Sequence, residues 1–194
     1  MENLTNKFKH LYDVISSDRF LSKEALGGEI PFFIAAYNAE QQLQVEDATK
    51  LLIKKLETSG VVVLEIDLYD IVCEILEEKG GIERMFRIEK AKSKEKFLRA
   101  LQSSLNIHQV FMPRIDEKIK KANAMVYFLT GIGLVFPYIR SHNILNNLQS
   151  IAKESPTVAF FPGEYNGHSL NLFSLLKDDN YYRAFNIDKI EAKQ

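Results

Sequence analysis

Two short stretches of the chain carry residue types that bind phosphate or magnesium in nucleotide-binding proteins. The first is "TGIG", Thr130 to Gly133, which follows an apolar strand and leads towards a helix. The second is "VVVLEIDL", an apolar run in which Asp67 stands where an acid would position a magnesium ion. A phosphate-binding loop also needs glycines around a lysine and a hydroxyl, because backbone N–H groups and an ammonium group hold the phosphate.

The loop that follows the first strand lacks such a phosphate cradle. Residues 37–41 read "YNAEQ", with no glycine, no lysine and an added negative charge. "TGIG" also lacks the third glycine and the distal acid of a dinucleotide-binding fingerprint. The favoured interpretation is therefore a tight turn, in which glycine takes a positive φ or lets a helix approach the sheet closely. The alternative is a nucleotide-binding domain with a reduced catalytic loop, whose ligand-binding candidates are Asp67, Thr130, Gly131, Gly133 and Arg140.

The helix predicted after this turn has an unusual polar face. A solvated face is usually rich in glutamate and lysine, whereas this one is rich in asparagine. Asparagine is a poor helix former because its side chain competes for backbone groups. Such a face favours hydrogen bonding to another protein surface. The partner-binding candidates on it are Arg140, His142, Asn143, Asn146 and Asn147.

The C-terminal stretch "KDDNYYRAF" is the second candidate docking segment. Tyrosine and arginine are enriched at interface hot spots, so Tyr181, Tyr182 and Arg183 are candidate anchors for a partner. The alternative is that one of the two tyrosines caps the core and leaves its hydroxyl group in water.

Composition argues against several other classes of function. The formal net charge is −1 and the pI is about 6.4, so no global attraction to nucleic acid or to an anionic membrane is expected. Cys73 stands among apolar neighbours at helical spacing, as a buried thiol does, and the histidines show no metal-binding spacing. We therefore expect no catalytic residue, no metal and no cofactor.

Localisation and nucleic-acid binding follow from the charge pattern and the apolar runs. The N-terminal region is charged, and no apolar run approaches the roughly 20 residues that span a bilayer, so a cytoplasmic protein without membrane contact is expected. Seven lysine or arginine residues lie between Arg84 and Arg99. A nucleic-acid contact through these residues is one interpretation. The favoured interpretation is a helix and loop that are exposed to solvent.

The elements that must position these residues alternate between apolar strands and amphipathic helices. Strands are predicted over 30–37, 61–68, 124–132 and 156–163, each apolar enough for burial on both faces. Helices are predicted over 5–21, 38–60, 69–79 and 135–151, and 170–187 is expected to form a short helix and an extended tail. In the second helix the residues expected to face inward are Val45, Ala48, Leu51, Leu52 and Leu56.

This alternation predicts a single α/β domain over residues 1–194. Its fold is expected to be a doubly wound, mostly parallel sheet of about four or five strands with helices on both faces. Residues 1–20 form an N-terminal helix in this prediction, and 82–113 form a variable basic helical region interrupted near Pro113. Right-handed crossovers place the strand-to-helix loops at one edge of the sheet, where ligands gather.

Four blocks of the sequence also carry a family resemblance. They read "LGGEIPFFI", "LEIDLYDIVCEILEE", "LTGIGLVFPYIRSHNILNNLQ" and "FFPGEYNGHSLNLFSLLKDDNYYRAF", in this order between about Phe20 and Ile187. Together they resemble the BrxB family, the small B component of bacteriophage exclusion (BREX) defence systems. The last two blocks are long and unusual enough to be specific. The stretch least similar to the family runs from Ile82 to Pro113.

The resemblance implies a bacterial cytoplasmic protein needed for phage defence. It implies a role beside a large AAA-type ATPase, a PglZ-type alkaline-phosphatase-like protein and an adenine methyltransferase. It supplies no catalytic residues to carry over to this chain. The leading hypothesis is therefore a non-enzymatic adaptor that acts through contacts with other BREX components, and the alternative is a degenerate domain that binds nucleotide without hydrolysing it efficiently.

Overall fold

The computed structural model describes residues 3–22, 32–178 and 182–192 of the 194-residue chain. The α-helices are α1 (Leu4–Ile15), α2 (Asp18–Leu21), α3 (Gln42–Thr58), α4 (Leu68–Glu78), α5 (Ile82–Ala91), α6 (Lys94–Ser104), α7 (Met112–Lys121) and α8 (Ser141–Ile151). The strands are β1 (Phe32–Tyr37), β2 (Val63–Asp67), β3 (Val126–Thr130), β4 (Thr157–Tyr165), β5 (Leu170–Leu172), β6 (Leu176–Asp178) and β7 (Phe185–Asn186). The candidate anchor Tyr181 lies outside the described residues.

The described strands of the main sheet lie in the order β2-β3-β4-β1-β7, and each neighbouring pair in it is parallel. The end of β4 continues beyond this sheet and pairs antiparallel with β5, which pairs with β6. A mostly parallel sheet was the prediction from the alternation of strands and helices, and the structure confirms it.

Helices cover both faces of the sheet because successive residues of each buried strand point to opposite sides. On β1, Phe33 and Ala35 belong to the core beneath α1 and α3. Phe32 and Ile34 belong to the core on the other face, which α4 to α8 cover. Burial on both faces explains why the central strands are continuously apolar rather than alternating.

The connections bring three strand ends to one edge of the sheet. The chain passes from β1 to β2 through α3 on one face, and it returns through β3 to β4 with its helices on the other face. Tyr37, Asp67 and Thr130 end the first three strands, and the register places Asp67 opposite Thr130. The predicted loop edge is therefore present.

The helix predicted over 135–151 begins later than expected. Residues 131–140 form turns that contain a cis peptide bond between Phe136 and Pro137, and α8 starts only at Ser141. Pro137 has no N–H to donate and disfavours helical geometry at the residue before it, so the apolar spacing could not extend the helix through it. Pro113, by contrast, lies in the first turn of α7, after a π-helical turn at Ile107–Phe111.

The expected C-terminal short helix is also wrong. Residues 170–178 form the β5–β6 hairpin instead. The correct signal was the alternation of buried Leu170 and Leu172 with half-buried Asn171, which is the period of a strand. Leu175 ends a turn at residues 173–175, and Leu176 follows it. Because this turn interrupts the alternation, the leucines together have a spacing that resembles a helix.

Two burial predictions need correction as well. The strand β2 lies at the end of the sheet, and Glu65 on it is exposed, so it is not buried on both faces. On α3 the inward positions are Val45, Thr49, Leu52 and Leu56, whereas Leu51 is 66% exposed. Adjacent helical residues point about 100° apart, so only one of Leu51 and Leu52 can face the core.

The C-terminal segment packs against the rest of the domain through Tyr182. Its side chain is only 1% exposed and belongs to the core beneath α4 to α8. The backbone N–H of Tyr182 donates to the carbonyl of His168, and the Tyr165 hydroxyl donates to the carbonyl of Ala184 at 2.7 Å. Tyr182 is therefore a core residue and offers no exposed ring to a partner. The alternative interpretation was right about the core but wrong about the hydroxyl group, which is not left in water.

We expect Tyr182→Ala to lower the free energy of unfolding by about 3 kcal/mol or more, because it removes a buried aromatic ring from the core. The matched control is Arg183→Ala at the exposed neighbouring position, with an expected change below about 0.5 kcal/mol. Denaturant unfolding followed by circular dichroism measures both. Equal stability of the two variants would contradict the burial of Tyr182.

Candidate functional site

Three of the five ligand-binding candidates lie together at the edge of the sheet. Asp67, Thr130 and Gly131 line a cavity of about 380 Å³ between α3 and the carboxyl ends of β2 and β3. We call it the edge cavity. Gly133 and Arg140 do not line it. The structure thus brings part of the predicted set into one place and separates the rest.

Asp67 is fixed by two backbone hydrogen bonds. It is the N-cap of α4, and its Oδ1 accepts from the N–H groups of Tyr69 at 2.8 Å and Asp70 at 3.1 Å. This cap satisfies N–H groups that have no partner within the helix. The strand ending "EID" and the following helix are therefore joined by a local interaction that needs no bound ligand.

Gly131 and Gly133 serve the turn after β3 in different ways. Gly131 has φ +73°, and a Cβ atom there would lie 2.7 Å from Asp67 Oδ1. At Gly133 a Cβ atom would lie 2.9 Å from both the Phe173 ring and Pro162 Cγ. Gly131 provides the left-handed backbone expected from the sequence. Gly133 allows a close approach, but to the Phe173 ring and Pro162 and not of a helix to the sheet.

A pair of carboxylates shares one hydroxyl group in the edge cavity. Thr130 Oγ1 lies 3.0 Å from Glu65 Oε1 and 3.3 Å from Asp67 Oδ2. Desolvation raises the pKa of Glu65 above its ordinary value, and the nearby charges of Asp67 and Asp70 raise it further. The Thr130 hydrogen bond and the charge of Lys50 oppose that rise.

The first half of α3 also lines the edge cavity. The Tyr37 hydroxyl donates to Gln42 Oε1, and Gln42 Nε2 donates to Glu46 Oε1 at 2.7 Å. Burial raises the pKa of Tyr37 well above its usual range, and the charge of Glu46 adds to this. Thr49 lies on the same wall with 2% of its surface exposed.

The walls of the edge cavity carry more acids than bases. The acidic residues are Glu46, Glu65, Asp67, Asp70 and Glu74, and the basic residues are Lys50 and Lys118. Lys118 already forms an ion pair with Glu74, with an N–O distance of 2.8 Å. This balance disfavours a phosphate group. Among the described residues, no three or more His, Cys, Asp or Glu side chains are grouped so that they could hold a metal ion.

The polar face of α8 joins the C-terminal segment. Arg140 and Asn146 are exposed, and His142, Asn143 and Asn147 are half-buried. The amide of Gln149 on this helix donates to the backbone carbonyl of Arg183 at 2.9 Å. The two candidate docking segments therefore adjoin each other. We call this area, formed by Arg140, His142, Asn143, Asn146, Asn147 and Arg183, the α8 surface.

Glu65 and Thr49 are among the members of the edge cavity that the sequence did not reveal. Glu65 and Asp67 are two residues apart on one strand, so they point to the same side, and that spacing was the available signal. Thr49 occupies the inward position that was assigned to its neighbour Ala48. A hydroxyl group among inward apolar residues indicates a position where the packing is not purely apolar.

Comparison with known proteins gives close relatives along nearly the whole chain. The family described as "BREX protein BrxB" matches residues 64–187. A BREX protein BrxB of Bacillus cereus (strain H3081.97) is 36% identical over 194 residues, which cover 97% of this chain and 100% of the relative. The chain belongs to the BrxB family. The resemblance read from the four sequence blocks is thereby confirmed.

A second relative covers almost as much. A BREX protein BrxB of Escherichia coli O9:H4 (strain HS) is 30% identical over 184 residues, 95% of this chain and 91% of the relative. The search of solved structures gives no match. Within the described residues, every helix is too short or too polar to cross a membrane.

We expect Gly131→Ala to lower the free energy of unfolding by about 2 kcal/mol, because strain at a positive φ adds to a clash with the Asp67 cap. The matched control is Gly60→Ala, where φ is +87° and an added Cβ would meet nothing within 4 Å. That control should lose only about 1 kcal/mol. Thermal melting of both variants tests this, and an unchanged melting temperature for Gly131→Ala would refute it.

Glu65→Gln should stabilise the protein at neutral pH. A carboxyl group with a raised pKa in the folded state contributes stability that is present below its ordinary pKa of 4.5 and is lost as the pH rises through the folded value. Removing the charge should therefore gain about 0.5 kcal/mol at pH 7, a small amount because solvent screens this exposed residue. The gain should vanish below pH 4, as melting curves from about pH 3.5 to 8 would show.

The control for this pH series is Glu57→Gln on α3, which is exposed and lies outside the edge cavity. It should melt like the unmodified protein at every pH. A Glu65→Gln variant that is less stable than this control at pH 7 would show that the charged form is favoured in the fold.

Proposed function

We propose that the chain is a non-enzymatic adaptor of a BREX phage-defence complex and acts through contacts with other proteins of that system. Membership of the BrxB family supports the assignment to BREX, since both relatives carry the description "BREX protein BrxB" and cover most of the chain. The candidate partners are the PglZ-type protein and the AAA-type ATPase implied by the family resemblance. The protein is expected to work in the cytoplasm.

The observation that carries the adaptor proposal is the hydrogen bond that joins α8 to the C-terminal segment. Residues far apart in sequence, Arg140 and Arg183, are exposed on two segments that the Gln149 hydrogen bond ties together. Arginine forms strong, directional contacts with carboxylates, and it is enriched among interface anchors. The asparagine side chains of α8 carry both donors and acceptors, which suits a polar interface. One of these donors is already used, since the Asn147 amide donates to the backbone carbonyl of Asn143 at 2.6 Å. An acidic patch on a partner would complement this surface.

The alternative, a degenerate nucleotide-binding domain, has one observation in its favour. The edge cavity lies at the carboxyl ends of parallel strands, where ligands bind in open α/β sheets, and Asp67, Thr130 and Gly131 line it. The charge of the edge cavity disfavours nucleotide binding. Acids predominate on its walls, Arg140 lies outside it, and phosphate would bring further negative charge. The basic region of α5 and α6 stays a prediction of weak, salt-sensitive nucleic-acid contact at most.

We expect the double variant Arg140→Ala, Arg183→Ala to stay folded and to lose a partner. Truncating an interface anchor typically costs 2 kcal/mol or more, which is roughly a 30-fold weaker complex. The measurement is co-purification with the PglZ-type protein and the AAA-type ATPase expressed together in the host, beside a phage plaque assay. Loss of both co-purification and protection is the expected result.

The matched control is Arg19→Ala, an exposed arginine on α2. It should keep partners and protection. Melting curves show whether each variant is folded. If the folded double variant retains both partners, the adaptor contact lies elsewhere and the α8 surface is not the interface. Magnesium-dependent ATP hydrolysis by the purified protein, abolished by Asp67→Asn, would overturn the non-enzymatic proposal and promote the alternative.

A further inference from the structure

The outer face of α3 exposes two large apolar side chains to water. Leu43 is 73% exposed and Leu51 is 66% exposed, and they belong to the same helix. Residues three or four apart are neighbours on a helix surface, so Leu43, Asp47, Leu51 and Lys54 form one continuous strip. All four are exposed, and they face away from the buried side of the helix. We call this set of residues the α3 strip.

The two charged members of the α3 strip have no partner of opposite charge. In the part of the chain that the structure describes, neither Asp47 nor Lys54 takes part in an ion pair. On α7, by contrast, Lys120 and Lys121 each pair with an acid four residues earlier. Asp47 and Lys54 are seven residues apart, about 10 Å along the helix axis, with Leu51 between them. The α3 strip therefore has a free acid before its central leucine and a free base after it.

This order of charges is complementary to itself when two copies of α3 pack antiparallel. With the two-fold axis at Leu51, that side chain contacts the same residue of the second copy. Asp47 lies about 6 Å before Leu51 along the helix axis, and Lys54 lies about 4.5 Å after it. Antiparallel packing brings these two distances together on the same side of the two-fold axis. Each Asp47 then lies opposite the Lys54 of the second copy, so both free charges are paired.

The same arrangement also provides space for Leu43. It lies eight residues before Leu51, and the residues seven to nine positions after Leu51 are Thr58, Ser59 and Gly60. All three are small and exposed, and a Cβ atom added at Gly60 would meet nothing within 4 Å. The large side chain at one end of the α3 strip therefore meets small residues at the other end of the second copy.

From these observations we infer that the α3 strip binds a second copy of this chain in an antiparallel, two-fold symmetric dimer. Two-fold dimers are the commonest oligomers, and the interface of such a dimer is complementary to itself. An unrelated partner would have to carry the reverse order of charges by coincidence, whereas a second copy supplies it by symmetry. A contact made by one pair of helices is small, so we expect a dissociation constant in the micromolar range.

This dimer goes beyond the proposed adaptor function and does not depend on it. The helix α3 covers one face of the sheet and α8 covers the other. Pairing through α3 therefore leaves the α8 surface of each copy accessible, and the dimer presents two of them. Two linked binding surfaces strengthen attachment to a partner that has two matching sites.

The test is sedimentation equilibrium of the purified protein, with no BREX partner present. Concentrations from about 5 to 500 µM span a micromolar dissociation constant. We expect the average mass to rise with concentration from the 22.3 kDa of one chain towards twice that value. The rise should be smaller at about 1 M salt, because salt screens exposed ion pairs.

Four variants examine the contact itself. Leu51→Glu puts two like charges at the two-fold axis and should give a monomer over the whole range. Asp47→Lys and Lys54→Asp each set like charges opposite one another, so each should weaken the dimer about tenfold or more. The double variant Asp47→Lys, Lys54→Asp exchanges the two charges, restores both ion pairs and should dimerise like the unmodified protein.

The matched control is Glu83→Lys, which makes the same change of charge at an exposed position of α5, on the other face of the sheet. It should dimerise normally. Melting curves verify that each variant is folded, as expected for substitutions at exposed positions.

Three results would overturn the inference. The first is the mass of one chain at every concentration, which would mean that no second copy binds. The second is a dimer that persists in Leu51→Glu, which would place the contact on another surface. The third is a folded double variant that dimerises no better than the two single charge variants, because exchanged charges must restore an antiparallel pairing.

Discussion

The contact between the Asp67 carboxylate and Gly131 connects the fold to its candidate ligand site. Asp67 ends β2, caps α4 with two hydrogen bonds, and leaves no space for a side chain at position 131. The turn after β3 must therefore pass directly over the start of α4. The register of β2 and β3 places Thr130 beside Asp67, and the Thr130 hydroxyl lies within hydrogen-bond distance of both Glu65 and Asp67.

The sequence predicted the elements whose patterns are strong and local. Strands β1, β3 and β4 were found because strands buried on both faces are continuously apolar, and the alternation with helices predicted the parallel sheet. The predictions that failed concern elements whose position depends on contacts between residues far apart in the sequence. The position of β2 at the end of the sheet depends on strand order, which no local pattern encodes. The β5–β6 hairpin was mistaken for a helix because its turn interrupts the alternation of burial.

The candidate site was only partly predictable for a related reason. Asp67, Thr130 and Gly131 were found because each follows an apolar strand and the crossovers bring such positions together. Thr49 belongs to α3, which packs on the sheet. Whether Thr49 or its neighbour Ala48 faces inward depends on how the helix is rotated about its axis, and the sequence pattern did not fix that rotation. Tyr182 illustrates the same limit. Composition favours both an anchor and a core residue at that position, and only the packing against the C-terminal segment decides between them.

The acids on β2 have a role that needs no ligand, because β2 is the end strand of the sheet that the described residues form. Charged side chains on an edge strand discourage pairing with a strand from another molecule, which protects against aggregation. That role accounts for Glu65 and Asp67 without any ligand.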